Sequence, residues 1–249
     1  VKPAFTVEEL INAVPEILEI NKKIKVKQIF NKFSENLNPE DWIIIAENIY
    51  KEIKNGAKGI VILHGTDTMH YTSSACSFML KNLKIPVVFT GAQRSSDRGS
   101  SDASINLINS VYFANFSLSG IYVLMHENID DNYCAVFRGT KVRKMHTSRR
   151  DAFKGEIVAR INFFERKFEK FINEEKGNGN KETELDTKIC KNVFLLKYFP
   201  GLSNEIFEIL SERYKGIIIE GTGLGHVNEN LIPSIKKAID KNVFIGMTS

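Results

Sequence analysis

The ten residues GIVILHGTDT, 59–68, constrain the fold of this chain more than any other stretch. A short run of apolar, mostly β-branched residues ends at Gly65, and a carboxylate flanked by two hydroxyls follows it. Such a run is typical of a buried parallel strand, and open α/β sheets bind ligands beyond the carboxyl ends of their strands. We therefore expect Thr66, Asp67 and Thr68 to lie at a candidate site.

The same triplet has a simpler interpretation as a helix cap. Thr and Asp are favoured N-cap residues, and the stretch MHYTSSACSFMLKNL that follows has apolar residues at helical spacing. Capping alone would account for the triplet, so a second element is needed to decide between the two interpretations.

A basic segment, RGTKVRKMHTSRRDAF at 138–153, supplies that element. Taken alone, its Lys and Arg residues are typical of a solvated face or a phosphate-binding patch. Lys144, however, lies at the end of an alternating stretch typical of a strand. A lysine beside a carboxylate and a hydroxyl can accept and donate protons during a reaction, because burial lowers the pKa of a lysine amine toward neutrality. We predict that Thr66, Asp67 and Lys144 form a hydroxyl, carboxylate and amine relay.

Predicted strands and helices alternate along the chain. Strands are expected at 23–30, 59–65, 85–91 and 120–127, and helices from Thr6, at 39–53 and at 101–116, the last capped by Ser101 or Asp102. This alternation predicts an α/β fold with a mostly parallel sheet and helices on both faces. The pair NYCAVF and TKVRKMHT, 132–137 and 140–147, is expected to break the alternation as a hairpin.

A polar stretch, EEKGNGNKETELD, is rich in Gly, Asn and charge without apolar periodicity, which is typical of a linker. Strand and helix patterns resume after it. We therefore expect an N-terminal domain at 1–172, a linker at 173–190 and a smaller C-terminal α/β domain at 191–249.

Three motifs together resemble the L-asparaginase and glutaminase superfamily of threonine amidohydrolases: HGTDTM at 64–69, TGAQRSSDRGSSDASINL at 90–107 and VRKMHTSRRDAF at 142–153. They occur in the family's order, and the similarity covers most of the chain. The stretch DDNYCAVFRGTKVRKMHTSRRDAF, 130–153, is most similar to the D subunits of archaeal tRNA-dependent amidotransferases. The resemblance implies two α/β domains and hydrolysis of a side-chain amide.

By this resemblance, Thr66, Asp67 and Lys144 match the family's second catalytic triad. The threonine, activated through the lysine, orients or activates the attacking species, and the aspartate holds the α-amino group of the substrate.

Three further positions are implied to bind substrate. Ser34 and Glu35 match residues that contact the substrate's α-carboxylate and amine, and Ala92 matches a position whose backbone lies near the scissile amide. A turn would equally explain Ser34, and ordinary packing would explain Ala92.

One part of the family pattern has no counterpart in these 249 residues. The family's first catalytic threonine lies in a Gly-Gly-Thr-Ile-Ala turn, with a partner tyrosine downstream. VKPAFTVEEL resembles the stretch after that tyrosine, and VFIGMTS ends at the tip of a predicted strand where the family continues. We therefore expect a fragment that lacks the nucleophile segment and does not turn over substrate alone.

The resemblance implies a glutaminase subunit that supplies ammonia for conversion of Glu-tRNA(Gln) to Gln-tRNA(Gln). A kinase and transamidase partner subunit would use ATP and Mg²⁺, and no metal or organic cofactor is expected in this chain. A homodimer, a cytoplasmic location and no membrane attachment are expected. Two alternatives stay open: a free L-asparaginase, and an inactive ligand-binding or assembly module without the nucleophile.

Composition and the remaining motifs argue against membrane-spanning, nucleic-acid-binding, metal-binding and dinucleotide-binding functions. No apolar run approaches the roughly 20 residues needed to span a bilayer. The net charge of +4 is mild and gives no indication of nucleic-acid binding, and the cysteines and histidines lack metal-ligand spacing. GTGLGH, 221–226, follows a predicted strand, but its GxGxG spacing departs from the GxGxxG of dinucleotide sites. The resemblance makes His226 a possible contact between subunits.

Overall fold

The computed structural model describes residues 14–95, 98–172 and 181–249, and the chain divides into two compact units, 1–188 and 189–249. Both units combine strands with helices, which confirms the α/β class. No helix in the described residues is long and apolar enough to cross a membrane. The helix expected from Thr6 lies outside the described residues.

Unit 1 is built around a six-stranded sheet. Its helices are α1 (Glu16–Ile20), α2 (Pro39–Lys54), α3 (Met69–Met79) and α4 (Ala103–Phe113). Its strands are β1 (Ile60–Leu63), β2 (Leu80–Lys81), β3 (Pro86–Thr90), β4 (Gly120–His126), β5 (Cys134–Lys144), β6 (Phe153–Asn162), β7 (Lys167–Lys170) and β8 (Glu184–Leu185). The large sheet has the order β1-β3-β4-β5-β6-β7; β1, β3 and β4 are parallel, and β5, β6 and β7 continue it antiparallel.

The centre of this sheet is covered on both faces. Val87, Val88 and Phe89 are fully buried in succession on β3, and successive side chains of a strand point to opposite faces. On one face, Phe113 of α4 packs edge-to-face against Tyr122 of β4, with ring centroids 5.2 Å apart. The buried strands give the loops at their carboxyl ends a rigid base.

The hairpin expected from 132–137 and 140–147 is wrong, because a single strand, β5, runs through both stretches. Its pairing with β6 shifts register between Phe137 and Val142. This irregularity accounts for the break in the sequence pattern that suggested a turn. The turn instead lies at 145–152, between β5 and β6.

The strand expected at 23–30 is also wrong, since these residues form no strand. Lys25 donates to Glu52 at 2.8 Å, and Lys27 donates to Asn48 at 2.6 Å. The segment thus lies along α2, whose polar side chains engage its lysines, and it does not pair with the sheet.

Part of the stretch expected as a linker is fixed on unit 1. β8 pairs antiparallel with β2, and the Thr183 hydroxyl donates to the Asn82 carbonyl at 3.1 Å. Lys54 and Glu182 form an ion pair at 2.8 Å. Residues 173–180 of that stretch lie outside the described residues.

Unit 2 is a three-stranded parallel sheet with two helices. It comprises β9 (Val193–Lys197), α5 (Asn204–Arg213), β10 (Gly216–Glu220), α6 (Ile232–Asp240) and β11 (Phe244–Thr248), in strand order β11-β10-β9. Phe207 of α5 and Ala238 of α6 pack with Ile217 and Ile219 of β10 in one buried cluster.

Candidate active site

Lys144, the last residue of β5, reaches the loop that follows β1. Its Nζ donates to Thr66 Oγ1 at 2.8 Å and to Asp67 Oδ1 at 2.6 Å. The Lys144 side chain is 9% exposed, whereas that of Asp67 is 63% exposed. The structure therefore brings these three residues together, with the amine enclosed and the carboxylate open to solvent. Their catalytic roles remain predictions.

Parallel pairing brings the ends of β1 and β3 side by side. Leu63 is in register with Thr90, and the His64 peptide N–H donates to the Thr90 carbonyl at 2.8 Å. At Gly91 the two loops touch: a Cβ there would lie 2.2 Å from the His64 carbonyl oxygen and 3.4 Å from Thr66 Cγ2. Only glycine permits this approach, which places the residue after it, Ala92, beside the Thr66 loop.

The capping interpretation of the triplet fails at Thr68. This residue precedes α3 at the N-cap position, but its side chain makes no capping hydrogen bond. Its hydroxyl instead donates to the Ser34 carbonyl at 2.7 Å. The side chains of the triplet therefore bond to other segments of the chain and do not cap the helix.

Ser34 and Glu35 lie in a short 3₁₀ turn at Ser34–Asn36. Ser34 is 3% exposed and packs on Gly65, where an added Cβ would lie 2.8 Å from the serine side chain. Glu35 is exposed, and no hydrogen bond within the described residues joins it to Thr66 or Lys144. The structure thus brings Ser34 to the site but shows no contact that does so for the Glu35 carboxylate.

Two histidines behind the relay are neutral at neutral pH. Burial lowers the pKa of His64, against a smaller opposing effect of the Gly65 carbonyl. Burial, followed by the positive charges of Arg143 and Lys144, lowers the pKa of His70 to about 4. Neither ring adds a second positive charge next to the amine. The sequence pattern did not predict that neutral histidines pack near the relay, although His70 falls in the first helical turn after the triplet.

Asp102 is a further residue whose contacts the sequence pattern misses. Ser101 Oγ accepts the Ala103 N–H at 3.2 Å at the start of α4, as a capping side chain does. The Asp102 carboxylate faces the loop after β3, where the Gln93 and Arg94 N–H groups donate to it at 3.1 and 2.9 Å. A cap pattern alone cannot show which of two adjacent polar residues turns away from the helix.

The glycine-rich loop of unit 2 closes on itself. Thr222 N–H donates to the His226 carbonyl at 2.9 Å, and His226 N–H donates to the Thr222 carbonyl at 2.7 Å. α6 begins only at Ile232, so the loop does not open a helix that could bind phosphate. The geometry agrees with the rejection of a dinucleotide site.

Comparison with known protein families gives two matches that together cover most of the chain. The family described as "Asparaginase, N-terminal" matches residues 1–174, and "Glutaminase/Asparaginase C-terminal domain" matches residues 192–249.

Two kinds of protein are among those similar to this chain. Proteins named as the D subunit of glutamyl-tRNA(Gln) amidotransferase, from Pyrococcus furiosus and Pyrococcus abyssi, are 51% and 49% identical over 253 residues. Each alignment covers 100% of this chain and 57% of the relative, so the chain spans little more than half of their length. The solved L-asparaginase from Thermococcus kodakarensis is 29% identical with a TM-score of 0.83, over 99% of this chain and 75% of that one.

Proposed function

Because the chain belongs to the asparaginase and glutaminase family, we propose that it is the amide-hydrolysing part of a glutamyl-tRNA(Gln) amidotransferase. The observation that carries the proposal is the bonding of the Lys144 amine to both Thr66 and Asp67. Identity of about half over the whole chain to proteins named as the D subunit of that enzyme supports the assignment of glutamine as substrate.

In the proposed reaction, the amide carbon of the substrate first forms an ester with a hydroxyl nucleophile, and ammonia leaves. Water then cleaves the ester and releases glutamate. Ammonia must gain a proton as it leaves, and the attacking water must lose one. The Thr66 hydroxyl and the Lys144 amine, 2.8 Å apart, are close enough for such transfers. The nucleophile itself is not assigned to any residue of this chain.

Substrate binding is proposed to use the open side of the site. The Asp67 carboxylate is 63% exposed and would pair with the substrate's α-ammonium group. Ser34 and Glu35 would contact its α-carboxylate and amine, and the Ala92 backbone would face the scissile amide. Backbone N–H groups near that amide would stabilise the negative charge that develops on its oxygen.

The proposed partners follow from the same assignment. Ammonia would pass to a kinase and transamidase subunit that uses ATP and Mg²⁺ to activate Glu-tRNA(Gln). This chain would need no cofactor of its own, would form a homodimer and would work in the cytoplasm.

A free L-asparaginase is the second candidate, since solved L-asparaginases share this fold. Ammonia release by the complete protein from glutamine and from asparagine separates the two. We expect glutamine hydrolysis that rises when the partner subunit, ATP and Glu-tRNA(Gln) are added. A preference for asparagine that ignores these additions would contradict the proposal. Glutamine binding without ammonia release, even in the complete assembly, would identify an inactive binding module.

A further inference from the structure

The loop that carries Ala92 is held by a side chain that the proposed reaction does not use. Asp102 is fully buried, and its two carboxylate oxygens accept the N–H groups of Gln93 and Arg94, the two residues after Ala92. A buried carboxylate is costly unless donors surround it. This carboxylate directs two of its hydrogen bonds to backbone next to the site.

Asn106, one turn further along α4, holds the other side of Ala92. Its Nδ2 donates to the Gly91 carbonyl at 2.9 Å and to Asp102 Oδ2 at 2.9 Å. Asn106 is fully buried as well. Backbone groups on both sides of Ala92 are therefore fixed from α4, and no hydrogen bond within the described residues occupies the Ala92 peptide itself.

His126 at the end of β4 fixes the orientation of the Asn106 amide. Because Nδ2 donates to two acceptors, the atom facing His126 Nδ1 at 2.7 Å is the amide oxygen, so the ring donates. His126 Nε2 lies 3.1 Å from Asp131 Oδ1, a second acceptor. A reversed amide would place its NH₂ against the ring N–H and its oxygen against the Asp102 carboxylate.

The same chain of hydrogen bonds extends to the turn at 145–152, which starts one residue after Lys144. Arg150 donates to Asp131 at 2.6 Å. Gln93 Nε2 donates to the Arg149 carbonyl at 2.9 Å. The network therefore contacts both the loop beside Thr66 and the turn that follows the amine.

We propose that Asp102, Asn106 and His126 are positioning residues that set the place of the Ala92 peptide relative to Thr66 and Lys144. The inference rests on the proposed function, because the peptide is placed for the substrate's side-chain amide. A displacement of about 1 Å can cost on the order of 100-fold in rate when reacting groups must be aligned. The network acts through the Ala92 loop and does not itself touch the substrate.

The test uses the complete protein with its partner subunits and compares isosteric changes. Asp102→Asn replaces one acceptor oxygen with an NH₂ group, which cannot accept an N–H of Gln93 or Arg94. His126→Phe removes the ring donor to the Asn106 oxygen and leaves only the Cys134 thiol, 3.6 Å away, to donate to it. His126→Asn keeps a donor near the position of Nδ1. Ser110→Ala, on the same helix, removes a buried hydroxyl whose 2.7 Å hydrogen bond goes to the Asn106 carbonyl within the helix.

We expect faster amide exchange at Gln93 and Arg94 in Asp102→Asn, and a fall of roughly 10- to 100-fold in kcat/KM for glutamine, mainly through kcat. His126→Phe should behave in the same way, and His126→Asn should restore most of the loss. Ser110→Ala should lower the melting temperature without changing kcat/KM.

Unchanged kcat/KM in Asp102→Asn, or an equal fall in kcat/KM in Ser110→Ala, would overturn the inference. So would unaltered exchange at Gln93 and Arg94. The exchange result decides whether Asp102 holds the loop even if the wild-type protein releases no ammonia. That last outcome would remove the proposed function instead.

Discussion

Replacing Lys144 with methionine separates a catalytic role of this residue from a structural one. Methionine has a similar length, so it retains the packing of a side chain that is 9% exposed. The change removes the donor that joins Thr66 Oγ1 at 2.8 Å to Asp67 Oδ1 at 2.6 Å. No other described contact of the relay is altered directly.

The structure predicts a small loss of stability and a large loss of activity. Because Asp67 is mostly exposed, its ion pair contributes at most about 1 kcal/mol, and the hydrogen bond to Thr66 contributes about as much. For a chain of this size, each kcal/mol shifts the melting temperature by about 2–4 °C. A group that transfers protons contributes about 100- to 10,000-fold to rate, or roughly 3–5.5 kcal/mol of barrier.

The assay is ammonia release from glutamine by the complete protein, together with thermal unfolding. Lys154→Met is the matched control, because Lys154 lies on β6, the strand that pairs with the end of β5. Its side chain is 56% exposed and forms an ion pair with Asp151 instead of with the relay. We expect the control to retain wild-type activity. Turnover by Lys144→Met within about threefold of wild type would refute the proton-transfer role.

Three further predictions concern the scaffold. Gly91→Ala should destabilise the protein by about 1–3 kcal/mol, because the added Cβ would lie 2.2 Å from the His64 carbonyl oxygen. Gly99→Ala should leave stability unchanged, because a Cβ there meets nothing within 4 Å. Thermal unfolding of the two variants distinguishes these outcomes. The free energy of unfolding should fall as pH drops from about 6.5 to about 4, because His70 takes up a proton in the unfolded chain but stays neutral in the fold, where its pKa is lowered. Urea denaturation at several pH values should show this slope. The variant His70→Gln should reduce the slope. Asn38→Ala removes the oxygen that accepts the Asp41 N–H at the start of α2 and should cost about 1 kcal/mol in the same assay; no change in midpoint would argue against this cap.

The sequence was most informative where local pattern and tertiary contact agree. The apolar run before Gly65 predicted β1 as a parallel strand, and β1 does pair parallel with β3. The expected full burial is wrong, because β1 is the end strand of this sheet within the described residues and all four of its residues are only half-buried. The proximity of Lys144 to Thr66 followed from the relay hypothesis, although 78 residues separate them. The order of the strands brings the end of β5 next to the loop after β1, and no local sequence pattern encodes that order.

The errors arise where tertiary contacts override propensity. Residues 23–30 alternate as a strand does, yet their lysines bond to α2 and the segment stays outside the sheet. The pattern of β5 is interrupted near Gly139, but the shifted register with β6 carries the strand through. Asp102 reads as a helix cap, and its burial against the Ala92 loop depends on how α4 packs beside β3.

The most direct test of the relay is a double-mutant cycle on ammonia release from glutamine. Thr66→Val, Lys144→Met and the double variant are compared with the wild-type protein under the same conditions. If the hydroxyl and the amine act as one unit, the double variant should be about as slow as the slower single variant. Losses that multiply would show that the two groups act independently and would contradict the account.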